Sequence, residues 1–276
     1  DGFKKEVDEE SMLLFMVLSY VPTPRTIWKN IRKLPPAHWM LIENGKTVTK
    51  CYWKIEKSNR SIRHNEFVEE TRSILHDSIK LHGRSDVDVG TFLSGGLDSS
   101  AVTALFALQS DHVVKTFSMD FEGKAENEGH FAKMISDRYN TRHYTYSLGA
   151  EEAVNTLDHL LGVMDEPMAD SAIVPSYLLS KMARDSGIKV MLSGAGGDEL
   201  FGGYHRHYYS KHDKIAGIFK CFPQFLKNII SSTVPSRLQH YAFLASNSKG
   251  LSFGINTSGV NLGVLNKLML GNRKFE

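Results

Sequence analysis

Between residues 59 and 193 the spacing of apolar positions switches repeatedly between the three-and-four rhythm of a helix and the alternation of a strand. Residues Asn65–His82 place Phe67, Val68, Ile74, Leu75 and Ile79 on one helical face, and Val87, Val89, Thr91 and Leu93 then share one face of a strand. The same reading predicts a helix over Ser99–Gln109 and a strand over Val113–Met119. A helix comes next over Glu128–Tyr139, with Phe131, Met134 and Ile135 on one side, then a strand over Arg142–Ser147. Helices over Ala150–Leu161 and Pro175–Ser186 lead to a last strand at Lys189–Ser193. Repeated strand–helix units imply an α/β fold, a doubly wound and mainly parallel sheet with both faces covered and right-handed crossovers.

The flanks read differently. Ser11 is a candidate cap for a short helix running to Tyr20, and Pro22, Pro24, Pro35 and Pro36 exclude a helix over residues 21–36. Trp39–Ile42 and Lys46–Thr49 around Asn44-Gly45 predict a β-hairpin. Beyond Lys211, residues 215–230 have helical spacing broken by Pro223, and Ser246–Gly263 has loop composition. Three segments result: 1–58, 59–212 and a mainly helical 213–276.

Two strands end in glycine-rich turns. Ser94-Gly-Gly-Leu-Asp-Ser99 opens into a helix, and its glycines permit positive φ and let backbone N–H groups approach an anion. The lysine of the usual P-loop is missing, and Asp98 enters the first helical turn instead. A carboxylate beside phosphate calls for a divalent cation between them, so Asp98 is a candidate Mg²⁺ ligand. The second turn, Gly194–Tyr204, holds five glycines and the adjacent carboxylates Asp198 and Glu199, a composition that argues against a packed helix. Two such loops at strand carboxyl ends point to a ligand site at that edge of the sheet.

Composition narrows the alternatives. The 276 residues are 41% apolar and 23% charged, and 33 Lys plus Arg against 31 Asp plus Glu give a formal charge of +2, with no basic run to suggest nucleic acid. Two distant cysteines, Cys51 and Cys221, form neither a disulfide framework nor a zinc motif. Leu13–Tyr20 is too short to span a membrane and comes after Glu6, Asp8, Glu9 and Glu10, so the cytoplasm is the expected compartment.

Ser94–Ser99 resembles the pyrophosphate loop of N-type ATP pyrophosphatases, and Ser193–Tyr204 resembles the second nucleotide loop of glutamine-hydrolysing asparagine synthetases. Tyr20–Ile27, Arg32–Pro36, Tyr52-Trp53 and Asp165–Asp170 extend the likeness over residues 12–212. The resemblance implies an ATP-dependent, AMP-forming ligase with strand order 3-2-1-4-5. ATP would be bound by Phe92, Leu93, Ser94, Gly95, Gly96, Leu97, Asp98 and Ser99, with Met119, Ser193, Gly194 and Gly196. It further implies Mg²⁺ held by Asp98 and Asp198, and Asp98, Asp198 and Glu199 as catalytic carboxylates. A carboxylate would be activated as its acyl adenylate and captured by ammonia.

Several positions keep competing readings. Phe92 and Met119 suit plain core packing as well as an adenine contact. Asp165, Glu166, Asp170 and Ser171 suit helix capping as well as an acyl-substrate loop, as Asn127 before Glu128 suits capping or the acceptor site. His205 and His207 read as surface histidines rather than metal ligands, and Cys51 as a structural thiol. Segment 1–58 resembles the closing part of a glutaminase domain, and Asp1 offers no N-terminal cysteine nucleophile, so ammonia rather than glutamine is the expected donor. The family's catalytic lysine has no match, Lys267 and Lys274 reading as surface residues. Ala195 stands where asparagine synthetases commonly carry Glu, leaving aspartate and sugar acids open as acceptors. The expected partners are a small-molecule carboxylate and ammonia, with a homodimer as the candidate assembly and neither nucleic acid nor membrane. A nucleotide-binding chain without catalysis and a tRNA-modifying enzyme are the alternative functions.

Overall fold

The computed structural model describes residues 4–56, 58–123 and 128–204, the side chain of Val17 apart. The chain divides into two compact units, one containing residues 1–55 and 165–169 and the other 56–164 and 170–203.

In the first unit, helix α1 spans Glu9–Leu18. Its cap is Asp8, whose carboxylate accepts from Glu10 and Ser11 N–H. Ser11, the residue expected to cap, is instead buried within the helix. Asp8 wins because it also receives Arg25 at 3.3 Å, which anchors the helix start to the loop after it. Burial opposes ionisation of Asp8, but the two backbone N–H bonds and Arg25 outweigh it and hold its pKa below the ordinary value. Strands β1 (His38–Glu43) and β2 (Lys46–Cys51) form the predicted hairpin, with Asn44 and Gly45 at φ 50° and 75°.

The second unit carries the alternation read from the sequence. Helix α2 (His64–His82) precedes β3 (Val89–Phe92), α3 (Leu97–Gln109), β4 (Lys115–Phe121), α4 (Gly129–Arg138) and β5 (Arg142–Leu148). Helices α5 (Ala150–Val163) and α6 (Ile173–Asp185) then lead to β6 (Val190–Leu192) and α7 (Gly197–Phe201). The four strands are parallel in the order β5-β4-β3-β6, the first four places of the expected arrangement. No fifth strand joins them among the described residues.

Strand alternation assigns each face. Thr91 Oγ1 bonds Thr103 Oγ1 of α3 at 2.9 Å, and both residues are fully buried. Thr116, on the same face, reaches Thr141 at 3.3 Å, whose hydroxyl donates to Ser136 of α4 at 2.9 Å. Phe117 and Met119 point the other way. Phe117 packs with Ala183 and Ile188, and Met119 packs against Leu148, Leu160, Val174 and Leu178 of β5, α5 and α6. Burial of the Phe117, Ile188, Leu148, Leu160 and Leu178 side chains contributes roughly 1.5–3 kcal/mol each.

Two predicted faces are corrected. On α4 the buried residues are Ala132 and Ser136, while Phe131 and Met134 are exposed. On α2 only Ile79 is buried, and Phe67, Val68 and Ile74 remain exposed. On α4 the close approach of Gly95 to Ala132 selects a small side chain at the contact, and the larger apolar residues lie beside it. No helix among the described residues is long and apolar enough to cross a membrane.

Candidate active site

The first loop is closed by its own hydroxyls. Leu93 N–H donates to Phe117 O at 2.8 Å, extending the β3–β4 pairing to the last residue before the turn. Ser94 Oγ lies 2.9 Å from Ser99 Oγ and accepts from Gly96 N–H at 3.3 Å, and Ser99 Oγ also accepts from Ser94 N–H at 3.3 Å. Gly95 has φ 87°, and a Cβ there would lie 2.8–2.9 Å from Phe131 Cβ, Ala132 N and Glu128 O. Gly96, by contrast, is extended at φ −68° and ψ 160° as the cap of α3. Positive φ is thus required at Gly95 and not at Gly96. The first N–H groups of α3 lack intrahelical acceptors, and Asp98 sits in that first turn.

The second loop contains a single helical turn that its composition argued against. Gly196 and Gly202 bracket α7 at φ 94° and 78°, and the turn between them is built mostly from the helix-compatible residues Asp198–Phe201. Glycine here caps rather than interrupts. Gly194 brings the two loops together, since a Cβ on it would lie 2.6 Å from Ser99 N and 3.0 Å from Asp98 Cβ.

These loops line an open cavity of about 570 Å³. Phe92, Ser94, Gly96, Leu97, Asp98 and Ser99 line it from the first loop. Gly194, Ala195, Gly197, Asp198, Phe201 and Gly203 line it from the second. Gly95, Ser193, Gly196 and Glu199 belong to the loops without being lining residues. A neighbouring cavity of about 330 Å³ is walled by Phe92, Leu93, Ser94, Met119, Glu128 and Pro175, among others. Phe92 and Met119 each pack against a core cluster and also line this second cavity. Phe201, Ser118 and Leu179 are lining residues that the motifs did not single out. For Ser118 the signal was its position near the carboxyl end of a predicted strand.

Behind the second cavity, His143 of β5 bonds Thr116 Oγ1 through Nδ1 at 2.8 Å and Ser118 Oγ through Nε2 at 3.1 Å. Burial lowers its pKa first and Lys133 adds to this, against the opposing pull of Asp120 and Asp137. The imidazole is therefore held toward its neutral form.

The acidic residues before α6 are engaged locally. Glu166 is paired with Lys33, and Asp170 Oδ1 accepts from Ala172 N–H at 2.9 Å in the turn before α6, whose cap residue Ala172 has no side-chain cap bond. Neither residue, nor Asp165 or Ser171, lines either cavity. Cys51 is exposed and free. Asn127, His205, His207, Cys221, Lys267, Lys274 and the whole of 213–276 lie outside the described residues.

Two carboxylates from separate loops line one cavity, and no cluster of three or more His, Cys, Asp or Glu residues forms a metal cage among the described residues. That donor set fits Mg²⁺, which binds through one or two carboxylates and completes its shell with water and phosphate oxygens.

Comparison with known proteins matches residues 70–251 to the family described as asparagine synthase. The chain belongs to the asparagine synthase family. Residues 1–53 match the glutamine amidotransferase domain. Asparagine synthetase [glutamine-hydrolyzing] 1 of Bacillus subtilis is 35% identical over 72% of this chain and 32% of its own length. A Methanocaldococcus jannaschii protein, provisionally named asparagine synthetase [glutamine-hydrolyzing] 2, is 33% identical over 84% of this chain and 44% of its own. The chain thus spans between about a third and under half of these relatives. Among solved structures, an NH3-dependent NAD synthetase from Campylobacter jejuni matches 78% of this chain and 100% of its own, with 14% identity and a TM-score of 0.35. The α/β assignment rests on this chain's own sheet.

Proposed function

We propose that this chain carries the ATP-using half of a carboxylate-amidating ligase. The observation that supports it is the pairing of two glycine loops, each bearing a carboxylate, around one cavity at the carboxyl end of a parallel sheet. In this reading the substrate carboxylate attacks the α-phosphorus of ATP, the bond to the β-phosphate bridge breaks, and pyrophosphate leaves. Ammonia then attacks the acyl adenylate, giving an amide, AMP and a proton.

The chain's residues supply binding and charge. Ser94, Ser99 and the first N–H groups of α3 would hold the pyrophosphate portion, where hydroxyl and amide donors stabilise developing negative charge. Asp98 and Asp198 would hold Mg²⁺, which when bound supplies positive charge to the leaving group. Phe92 and Met119 would receive the adenine. The acceptor is a small carboxylate, aspartate or a sugar acid, and Ala195 on the cavity wall offers it no acid or base. Residues 1–58 read as the closing part of a glutaminase domain, the whole enzyme being cytoplasmic and dimeric.

Carboxylate-dependent exchange of labelled pyrophosphate into ATP tests this reading. Exchange with aspartate or a sugar acid, lost in Asp98→Asn, is the expected result. Exchange that depends on added tRNA, or Mg·ATP binding without exchange with any of the carboxylates, would overturn it.

A further inference from the structure

The three Gly-Gly pairs of the two loops divide their labour in a way that composition conceals. Gly95, Gly196 and Gly202, the first members, have φ of 87°, 94° and 78°. Gly96, Gly197 and Gly203, the second members, are not in the left-handed region, so their backbones would accept an L side chain. At Gly197 and Gly203 what a side chain would meet is a carboxylate. A Cβ on Gly197 would lie 2.5 Å from Asp98 Oδ2 and 2.7 Å from Oδ1, in contact with Cγ as well. A Cβ on Gly203 would overlap Asp198 Oδ1 and lie 2.9 Å from its Cγ.

We infer that Gly197 and Gly203 are positioning residues, each leaving the volume that seats one of the two cavity carboxylates, Asp98 and Asp198 respectively. This rests on the proposed function, in which those carboxylates hold the cation that accompanies ATP. The second loop thereby sets the position of Asp98, which belongs to the first loop, and of its own Asp198. An alanine at either glycine needs no backbone change but displaces a carboxylate by the width of a methyl group. The consequence is selective: metal-dependent nucleotide binding suffers, and nucleotide binding without metal does not.

The test is a set of double-mutant cycles on the full chain, measuring dissociation constants for ATP with Mg²⁺ and for ATP with EDTA by calorimetry. Gly197→Ala and Gly203→Ala should weaken Mg·ATP binding about ten- to a hundredfold, the usual effect of disturbing a residue that orients a metal ligand, and leave metal-free ATP binding unchanged. In an Asp98→Ala background, where the volume is vacant, Gly197→Ala should have no further effect, and Gly203→Ala should have none in Asp198→Ala. The double variants also guard against a fold defect, since they remove the clash. Gly162→Ala in α5, where a Cβ meets nothing within 4 Å, is the control. Undiminished Mg·ATP affinity in Gly197→Ala and Gly203→Ala, or an equal loss with and without the aspartate, overturns the inference. If neither Asp98→Ala nor Asp198→Ala alters the metal dependence, the proposed function itself fails, and the inference with it.

Discussion

Lys33 Nζ lies 2.5 Å from Glu166 Oε2 and donates to the Val21 carbonyl at 2.7 Å, tying the segment before α6 to the amino-terminal loop. Ala169 N–H adds a bond to Ser19 O at 2.8 Å, and Tyr20 bridges Met168. The Lys33 and Glu166 side chains are partly buried, and Glu166 Oε1 is buried without a partner among the described residues. Removing the lysine strands a carboxylate, whereas neutralising the glutamate leaves an amide oxygen that still accepts from Lys33. Lys33→Met should therefore cost about 1–3 kcal/mol, and Glu166→Gln under about 1 kcal/mol. Urea unfolding of the two variants measures the order, and the reverse order would show that the pair does not hold this segment.

Asp98→Asn and Asp198→Asn should each abolish Mg²⁺-dependent stabilisation by ATP while the protein melts as the unmodified chain does. Loss of one metal-binding carboxylate is worth about 4 kcal/mol of transition-state stabilisation, or roughly a thousandfold in rate. Thermal melts with and without Mg·ATP, combined with pyrophosphate exchange, check both halves.

Substitutions at the neighbouring glycines should separate folding from binding. Gly95→Ala combines a left-handed backbone with contacts to Phe131, Ala132 and Glu128 under 3 Å and should destabilise the fold by about 2–4 kcal/mol. Gly96→Val meets only Ser94 Oγ, at 3.4 Å, on an extended backbone, but points a branched side chain at the cavity wall. It should keep its melting temperature and lose the ATP shift. Gly196→Val meets nothing within 4 Å, yet its φ of 94° should cost about 1–2 kcal/mol.

His143 gives the stability a defined pH dependence. Its pKa is lowered in the fold, by burial first, so above the ordinary value of about 6.5 it contributes no slope. Below that value the unfolded chain takes up a proton that the folded chain resists, and stability falls until the folded imidazole titrates as well. Urea midpoints between pH 8 and pH 5 should decline, and His143→Gln should remove that part of the decline. An unchanged slope in the variant would assign the acid sensitivity elsewhere.

The sheet was legible because each strand and helix has its own period, and the four strands pair in the order the resemblance implies. The two loops were legible because glycine beside aspartate at a strand end has few other uses. What escaped depends on partners distant in sequence. Ser11 looks like a cap until Asp8 is seen to bond Arg25 as well. Ala132 is core because it stands against Gly95, a contact between small residues to which hydrophobic size is blind. The ion-pair partner of Glu166, Lys33, lies 133 positions earlier in the chain, out of reach of any local pattern.

The fully buried Thr91–Thr103 hydroxyl pair lies directly beneath the first loop, joining the strand that enters it to the helix that leaves it. With its two ends fastened, the loop is already shaped, and under the proposed function the entropy of ordering it is spent in folding rather than in binding. Nucleotide association in this protein should accordingly be fast and carry little conformational penalty at the first loop. Any slow step of induced closure must arise elsewhere in the chain.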